Sequence, residues 1–297
     1  MHPVVFPVFR AAAAGAAFLF LLGFGGQTGA SRFALAQVLD PSGKALVDVG
    51  PDDFVVQEGG AEREILDMRV ADYPVAIVVD NGSKSDFDMI RAAVVRMLER
   101  LGPRPIAVVT AGGDPKQLTS FEDERDTVVE RLKAVEPAAD GVSQPLRATA
   151  LAAEAINGTG ALFSAVLVIT SSPVEVTGSE ADALLAPIID SRAVTHVVTN
   201  VATSGPDGDA AARPSGSSGR PPSTAQLLRT IADQTHGDFR AVYAAGSYQP
   251  AVDRLVTRLT TELLIEYIVP VGSRASDVKI GVRIPGARVR GLGVAPR

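Results

Sequence analysis

Five consecutive apolar residues, Val75-Ala76-Ile77-Val78-Val79, run straight into the polar stretch Asp80-Asn81-Gly82-Ser83-Lys84-Ser85. A strand with one wet face alternates apolar and polar side chains, whereas an unbroken β-branched run is covered on both faces. This is a buried central strand. Helices on both faces of a parallel sheet supply such cover, and from residue 86 the apolar residues recur at three- and four-residue spacing, as a helix requires. The polar stretch therefore falls at the carboxyl edge of the sheet, where open α/β folds bind their ligands.

The alternation of strand and helix continues downstream. A helix is expected over 86–101, with Ile90, Val94, Met97, Leu98 and Leu101 inward and Ser85 as its N-cap. There follow a strand over 106–110, an edge strand over 117–121, a helix over 123–135 and an Ala-rich helix over 146–156. A strand over 162–170, a helix over 180–192 kinked or broken at Pro187, and a strand over 194–201 come next. Residues 203–222 are dominated by Gly, Ser, Pro and Ala and read as a flexible surface loop. A helix over 224–235, a turn at His236-Gly237-Asp238, a short strand over 239–242 and a helix over 249–263 close the alternation.

Both ends of the chain are all-β. Runs at 33–39 and 45–49 flank the turn Asp40-Pro41-Ser42-Gly43, runs at 53–60 and 64–70 flank a Gly turn, and three strands occupy 264–269, 278–284 and 289–294. Four strands precede the central one. Neither end has enough strands to close alone, so the economical assembly pairs them into one small β-sandwich. The fold class is α/β, a doubly wound and mostly parallel sheet flanked by helices, with the sandwich built from amino- and carboxyl-terminal strands. The corresponding division is a signal peptide or anchor at 1–30, sandwich strands at 31–72, the α/β unit at 73–262, and the completing strands at 263–297.

Arg10 followed by the short apolar stretch 11–25 reads as an export signal, with small-residue cleavage sites after Ala30 and after Ala36. The first is preferred because 33–39 is needed as strand; an uncleaved amino-terminal anchor is the alternative and the sole contact with a membrane. The expected location is periplasmic or extracellular. A net charge of -6 and the lack of a basic cluster interleaved with aromatics argue against nucleic acid. The chain has no cysteine, which excludes disulfides, thiolate metal sites, cysteine nucleophiles and a lipoprotein anchor.

Five stretches in this order resemble the von Willebrand factor type A domain, in the form found in the acidobacterial VWFA-related family. They are Asp53-Phe54-Val55-Val56-Gln57-Glu58-Gly59-Gly60, residues 74–85, Leu167-Val168-Ile169-Thr170, residues 231–239, and Ile265-Glu266-Tyr267-Ile268-Val269-Pro270. The resemblance implies a doubly wound fold and a metal-ion-dependent adhesion site. That site holds Mg²⁺ with an Asp-x-Ser-x-Ser loop, a Thr from a second loop and an Asp from a third. Here only Asp80 matches. Gly82 and Lys84 stand at the two serine positions, with Ser83 and Ser85 beside them, Gln144 stands at the threonine, and Ser171 at the second acid.

Mg²⁺ sheds water reluctantly and a single carboxylate rarely holds it. An ammonium ~4 Å away opposes it by a few kcal/mol at an effective dielectric near 20. No metal or other cofactor is therefore expected, and Lys84 is expected to pair with Asp80 in its place; a loop register slipped by one residue would instead offer Ser83 and Ser85 to Mg²⁺. Other chemistry is sparse. No glycine-rich phosphate loop and no Gly-x-Ser-x-Gly elbow occurs. His236 reads as a helix C-cap and His196 as a satisfied core residue. The reading that follows is an exported, non-enzymatic module for protein interaction, adhesion or scaffolding, with an unidentified protein partner. A metal-dependent adhesion module for acidic ligands is the alternative, and an enzyme using Asp80 a remote one.

Overall fold

A computed structural model describes residues 29–82, 85–139, 141–171, 178–201, 224–272 and 277–296. The expected export signal up to residue 28, the loop 203–222, and Ser83 and Lys84 lie outside them. Among the described residues no helix is long and apolar enough to cross a membrane.

The central run is strand β6 (Val75–Val79), and every one of its residues is buried. It lies in a six-stranded sheet with β7 (Ile106–Thr110), β8 (Lys116–Thr119), β9 (Ala165–Thr170), β10 (Val194–Asn200) and β11 (Phe239–Val242), in the order β11-β10-β9-β6-β7-β8. All neighbours are parallel except β8, which pairs antiparallel with β7 as the edge strand. Counted from β6, this is the doubly wound order 3-2-1-4-5-6, whose reversal point lies between β6 and β9.

The two faces of β6 feed separate cores. Val75, Ile77 and Val79 pack under α1 (Phe87–Arg100), α2 (Arg125–Lys133) and α6 (Tyr248–Leu259), while Ala76 and Val78 pack under α3 (Pro145–Asn157), α4 (Gly178–Asp190) and α5 (Thr224–Gln234). Helix α1 buries Phe87, Ile90, Ala93, Val94, Met97 and Leu98, the expected three- and four-residue stripe. In α3 the buried Ala148, Ala152 and Ala153 allow close approach to the sheet.

The terminal strands form the sandwich. One sheet has the order β14-β1-β12-β5, from β14 (Arg288–Pro296), β1 (Gly29–Leu39), β12 (Leu263–Pro270) and β5 (Ile65–Val70), with β2 (Ala45–Leu46) also paired to β1. The other holds β13 (Val278–Val282), β3 (Phe54–Glu58) and β4 (Ala61–Arg63). Ala34, Ala36, Val38, Phe54, Val56, Ile265 and Tyr267 fill the space between them. Strand β1 already pairs at Gly29 and Ala30 with Pro270 and Val269. Cleavage after Ala36 would thus remove residues 29–36 of this strand.

Three sequence expectations need correction. Five strands precede β6, because the Gly59-Gly60 turn leads into the short β4 before β5 begins. The N-cap of α1 is Asp86, not Ser85. His196 is buried and accepts from the Asp238 amide through Nδ1 at 3.0 Å, but its Nε2 is buried with no hydrogen-bond partner among the described residues, so it is only half satisfied. His236 does end α5, at φ 60, and Gly237 follows because an added Cβ would lie 1.8 Å from the Thr195 carbonyl oxygen.

The chain crosses between sandwich and α/β unit twice, at 71–74 and 260–262, both at the amino edge of the parallel sheet. The crossings bond each other through Ala71 N–H to the Glu262 carbonyl at 2.8 Å. Two buried arginines hold them. Arg104 donates to the carbonyls of Leu101, Ala71 and Leu259, and Arg258 meets Asp238 at 2.7 Å and Glu262 at 3.3 Å. The sandwich is thereby joined to the α/β unit at the amino edge of the parallel sheet, opposite the carboxyl edge.

Candidate functional site

Strand β6 delivers Asp80 to the reversal point of the sheet, beside the end of β9, and buries it completely. Both of its carboxylate oxygens accept from the chain's own donors. Oδ1 accepts the Gly82 amide at 2.9 Å, and Oδ2 accepts the Thr170 hydroxyl at 2.7 Å, the Ser171 amide at 2.9 Å and the Ser171 hydroxyl at 3.4 Å. The Asp80 amide itself donates to the Ile169 carbonyl at 3.0 Å. In open α/β folds the crevice between two such strand ends receives the ligand. Among the described residues, Asp80 itself bridges the two strand ends here.

The remaining positions fit Mg²⁺ no better. An oxygen side chain at position 82 has no room, since a Cβ there would lie 2.6 Å from Ser143 Cβ and 2.7 Å from the Val142 carbonyl oxygen. Gln144 is turned away and donates to the Gly113 carbonyl at 2.6 Å. A hard divalent cation needs about six oxygens in a near-octahedral shell, and at these positions the described residues supply Asp80 as the one carboxylate. Among the described residues no three of His, Asp and Glu cluster closely enough to hold a metal ion. Ser83 and Lys84 lie outside the described residues, and with them the expected Asp80–Lys84 pair; the partners of Asp80 that are described are backbone amides and hydroxyls.

Gly82→Ser tests the closeness of this fit. Restoring the serine of the adhesion motif is expected to cost roughly 1–3 kcal/mol through overpacking. It should confer no Mg²⁺-dependent rise in thermal midpoint, and such a rise would show that the loop has room to rebuild a metal shell.

The structure adds a second carboxylate that the sequence reading missed. Asp86 is buried and accepts Asn200 Nδ2 at 2.8 Å and Ser85 Oγ at 3.2 Å. The Tyr248 hydroxyl lies 3.4 Å from Asp86 Oδ2 and 3.1 Å from the Thr170 carbonyl oxygen. Burial, with the negative charges of Asp86 and Asp80, pushes this phenol far above its ordinary range. Tyr248 therefore stays protonated and serves as a donor, not as a nucleophile. The signal for Asp86 was its place just before a strong helical stripe, which reads as a cap; its second bond comes from a residue 114 positions away.

Around this closed centre the edge is mixed in character. Asn81 ties three segments together, accepting the Gly112 amide at 2.7 Å and donating to the Glu136 carbonyl at 3.0 Å, while its own carbonyl accepts the Ala138 amide. Beside it opens a cleft of about 780 Å³ whose lining includes Asp114, Lys116, Arg131 and Glu136, two charges of each sign. Met89, Val142 and Tyr243 leave the strand ends with large apolar surfaces exposed, Tyr243 by 73%.

No protein-family model matches the chain, and no curated protein does. Solved structures do. The chain is similar to a von Willebrand factor type A protein from Catenulispora acidiphila at 12% identity, covering 90% of this chain and 73% of that one, with a TM-score of 0.49. It is similar to proximal thread matrix protein 1 from the mussel byssus at 10% identity and a TM-score of 0.47, covering 64% of this chain and only 48% of that one. It is also similar to BatB from Bacteroides thetaiotaomicron, at 14% identity, with 63% and 97% covered and a TM-score of 0.43. Identities this low speak to fold alone. The strand order and the two helix layers make this chain a doubly wound α/β fold.

Proposed function

We propose that this protein is an exported, non-enzymatic interaction module that binds a protein partner at the carboxyl edge of its parallel sheet without a metal ion. The observation that carries the reading is the closure of the ligand crevice by Asp80, Thr170 and Ser171. A buried carboxylate that accepts from internal donors on both oxygens is poorly placed to act as base, nucleophile or ligand. The edge then has only its surface to offer. Interface centres favour aromatics and Met over Lys and Glu, and Tyr243 and Met89 supply such anchors beside polar rim residues.

Affinity capture from cell-envelope extract with the full chain as bait tests this reading. Retention of a discrete protein is expected to be equal in EDTA and in Mg²⁺, and to fall at least tenfold for the double substitution Tyr243→Glu with Met89→Glu, an expected loss of more than about 1.4 kcal/mol. Capture that requires Mg²⁺ would favour the metal-dependent adhesion module instead. Retention unaffected by the double substitution would move the docking surface away from this edge.

A further inference from the structure

We propose that strand β5 is a self-pairing edge through which two copies of this chain join their sandwich sheets antiparallel about Met68. β5 ends the order β14-β1-β12-β5 and pairs with β12 alone, so its outer side has no partner strand among the described residues. Such a row of unmet amides and carbonyls is a template for another strand, and proteins usually blunt it with charged side chains, Pro, bulges or short length; β5 has two charges of opposite sign, which a second copy can match, and one bulge. β5 is six residues long, Ile65-Leu66-Asp67-Met68-Arg69-Val70, and has no Lys, Pro or Gly. The opposite edge, β14, contains Gly291, Gly293 and Pro296. Leu66 and Val70 are 49% and 46% exposed, which is unusual for two large aliphatics on one short edge.

The charge pattern names the occupant. Asp67 and Arg69 are half-exposed and joined to each other at 2.8 Å on the outer face. In a two-fold antiparallel pairing centred on Met68, residue 67 of one copy faces residue 69 of the other. The Asp67–Arg69 contact then occurs twice, once on each side of the axis, as self-complementary interfaces require. Met68 faces its own copy on the side of the sandwich core, where it already packs. Leu66 is the extra residue of a bulge against β12, because Asp67 pairs with Glu266 and Ile65 with Tyr267. The bulge ends the regular ladder there and, because residue 70 would face residue 66 across the axis, confines the pairing to 67–69, so a weak association in the micromolar to millimolar range is expected.

Sedimentation velocity of the full chain from about 1 µM to about 1 mM reads this directly. A concentration-dependent dimer is expected. Asp67→Arg sets Arg against Arg across the axis and should weaken the dimer about tenfold or more, while the combined swap Asp67→Arg with Arg69→Asp should restore it. Both positions are exposed, and circular dichroism confirms that each variant folds. A wild type that stays monomeric, a dimer indifferent to Asp67→Arg, or a swap that fails to restore association each overturns the proposal.

Discussion

Asp80→Ala is expected to lower the unfolding free energy by on the order of 3–5 kcal/mol, with a fall in thermal midpoint of roughly 10 °C. The carboxylate is fully buried and receives the Gly82 amide, the Thr170 hydroxyl, and both the amide and the hydroxyl of Ser171. Removing it leaves the amides of Gly82 and Ser171 without the acceptor they point at, and it unties β6 from β9 at the reversal point of the sheet. Asp80→Asn keeps the shape but places an amide donor among donors, so it should recover only part of the loss. Thr170→Val removes one bond to the same oxygen, and a double-mutant cycle with Asp80→Ala should give a coupling of about 1 kcal/mol or more. If chemical denaturation shows less than about 1 kcal/mol for Asp80→Ala, the loop is open to water, and the argument against a bound cation weakens with it.

The second large effect concerns pH. Burial drives the His196 imidazole down to about 3, helped by the positive charge of Arg258 and less so by Arg290 and Arg240, with Asp238 pulling the other way. In the unfolded chain the same group titrates near 6.5. Between those values the unfolded state binds a proton that the folded state refuses, so stability falls as pH falls through this window. From pH 7.5 to pH 5 the expected loss from this group is about 2 kcal/mol. Two neighbours also titrate. Burial raises Asp238, but the Arg258 hydrogen bond and charge more than reverse this, and its stabilisation is present above about 3.8 and lost below it. Burial raises Glu262 against the Tyr73 hydrogen bond and Arg258, so it favours the folded state at acid pH and opposes the histidine above about 4.5.

His196→Asn separates these contributions, because its Oδ1 still accepts the Asp238 amide while the titrating ring is gone. Urea unfolding at pH 7.5 and pH 5 should show the wild type losing about 2 kcal/mol more than the variant. Equal losses in both would mean that the ring is reached by water and is not held neutral by burial. The network lies where the chain crosses between sandwich and α/β unit, so acid loosening is expected to begin at that junction. Native-state hydrogen exchange at Ala71 and Leu263 would report it.

Much of the architecture could be read from residue order. The unbroken run at 75–79 demanded cover on both faces, and alternating strand and helical stripes supplied it; the stripe of α1 is buried as its spacing required. The sandwich followed from too few strands at either end. The errors were local. At three residues, β4 was too short to leave a period. The ligand positions were legible only as a list of types. Nothing in the sequence said that Gly82 lies against Ser143, that Gln144 turns to a backbone carbonyl, or that Asp86 is buried beside Tyr248.

Asp80 shows where the division falls. Sequence alone placed a carboxylate at the carboxyl end of a central strand, because a strand's position and the polarity of its last residue are local properties. Whether that carboxylate faces a ligand or its own chain depends on Thr170 and Ser171, some 90 residues away in sequence and within hydrogen-bond distance in space. Sequence periodicity encodes which face of an element is buried and is blind to which elements meet. Only the tertiary structure, by bringing the ends of β6 and β9 side by side, decided that this crevice is closed.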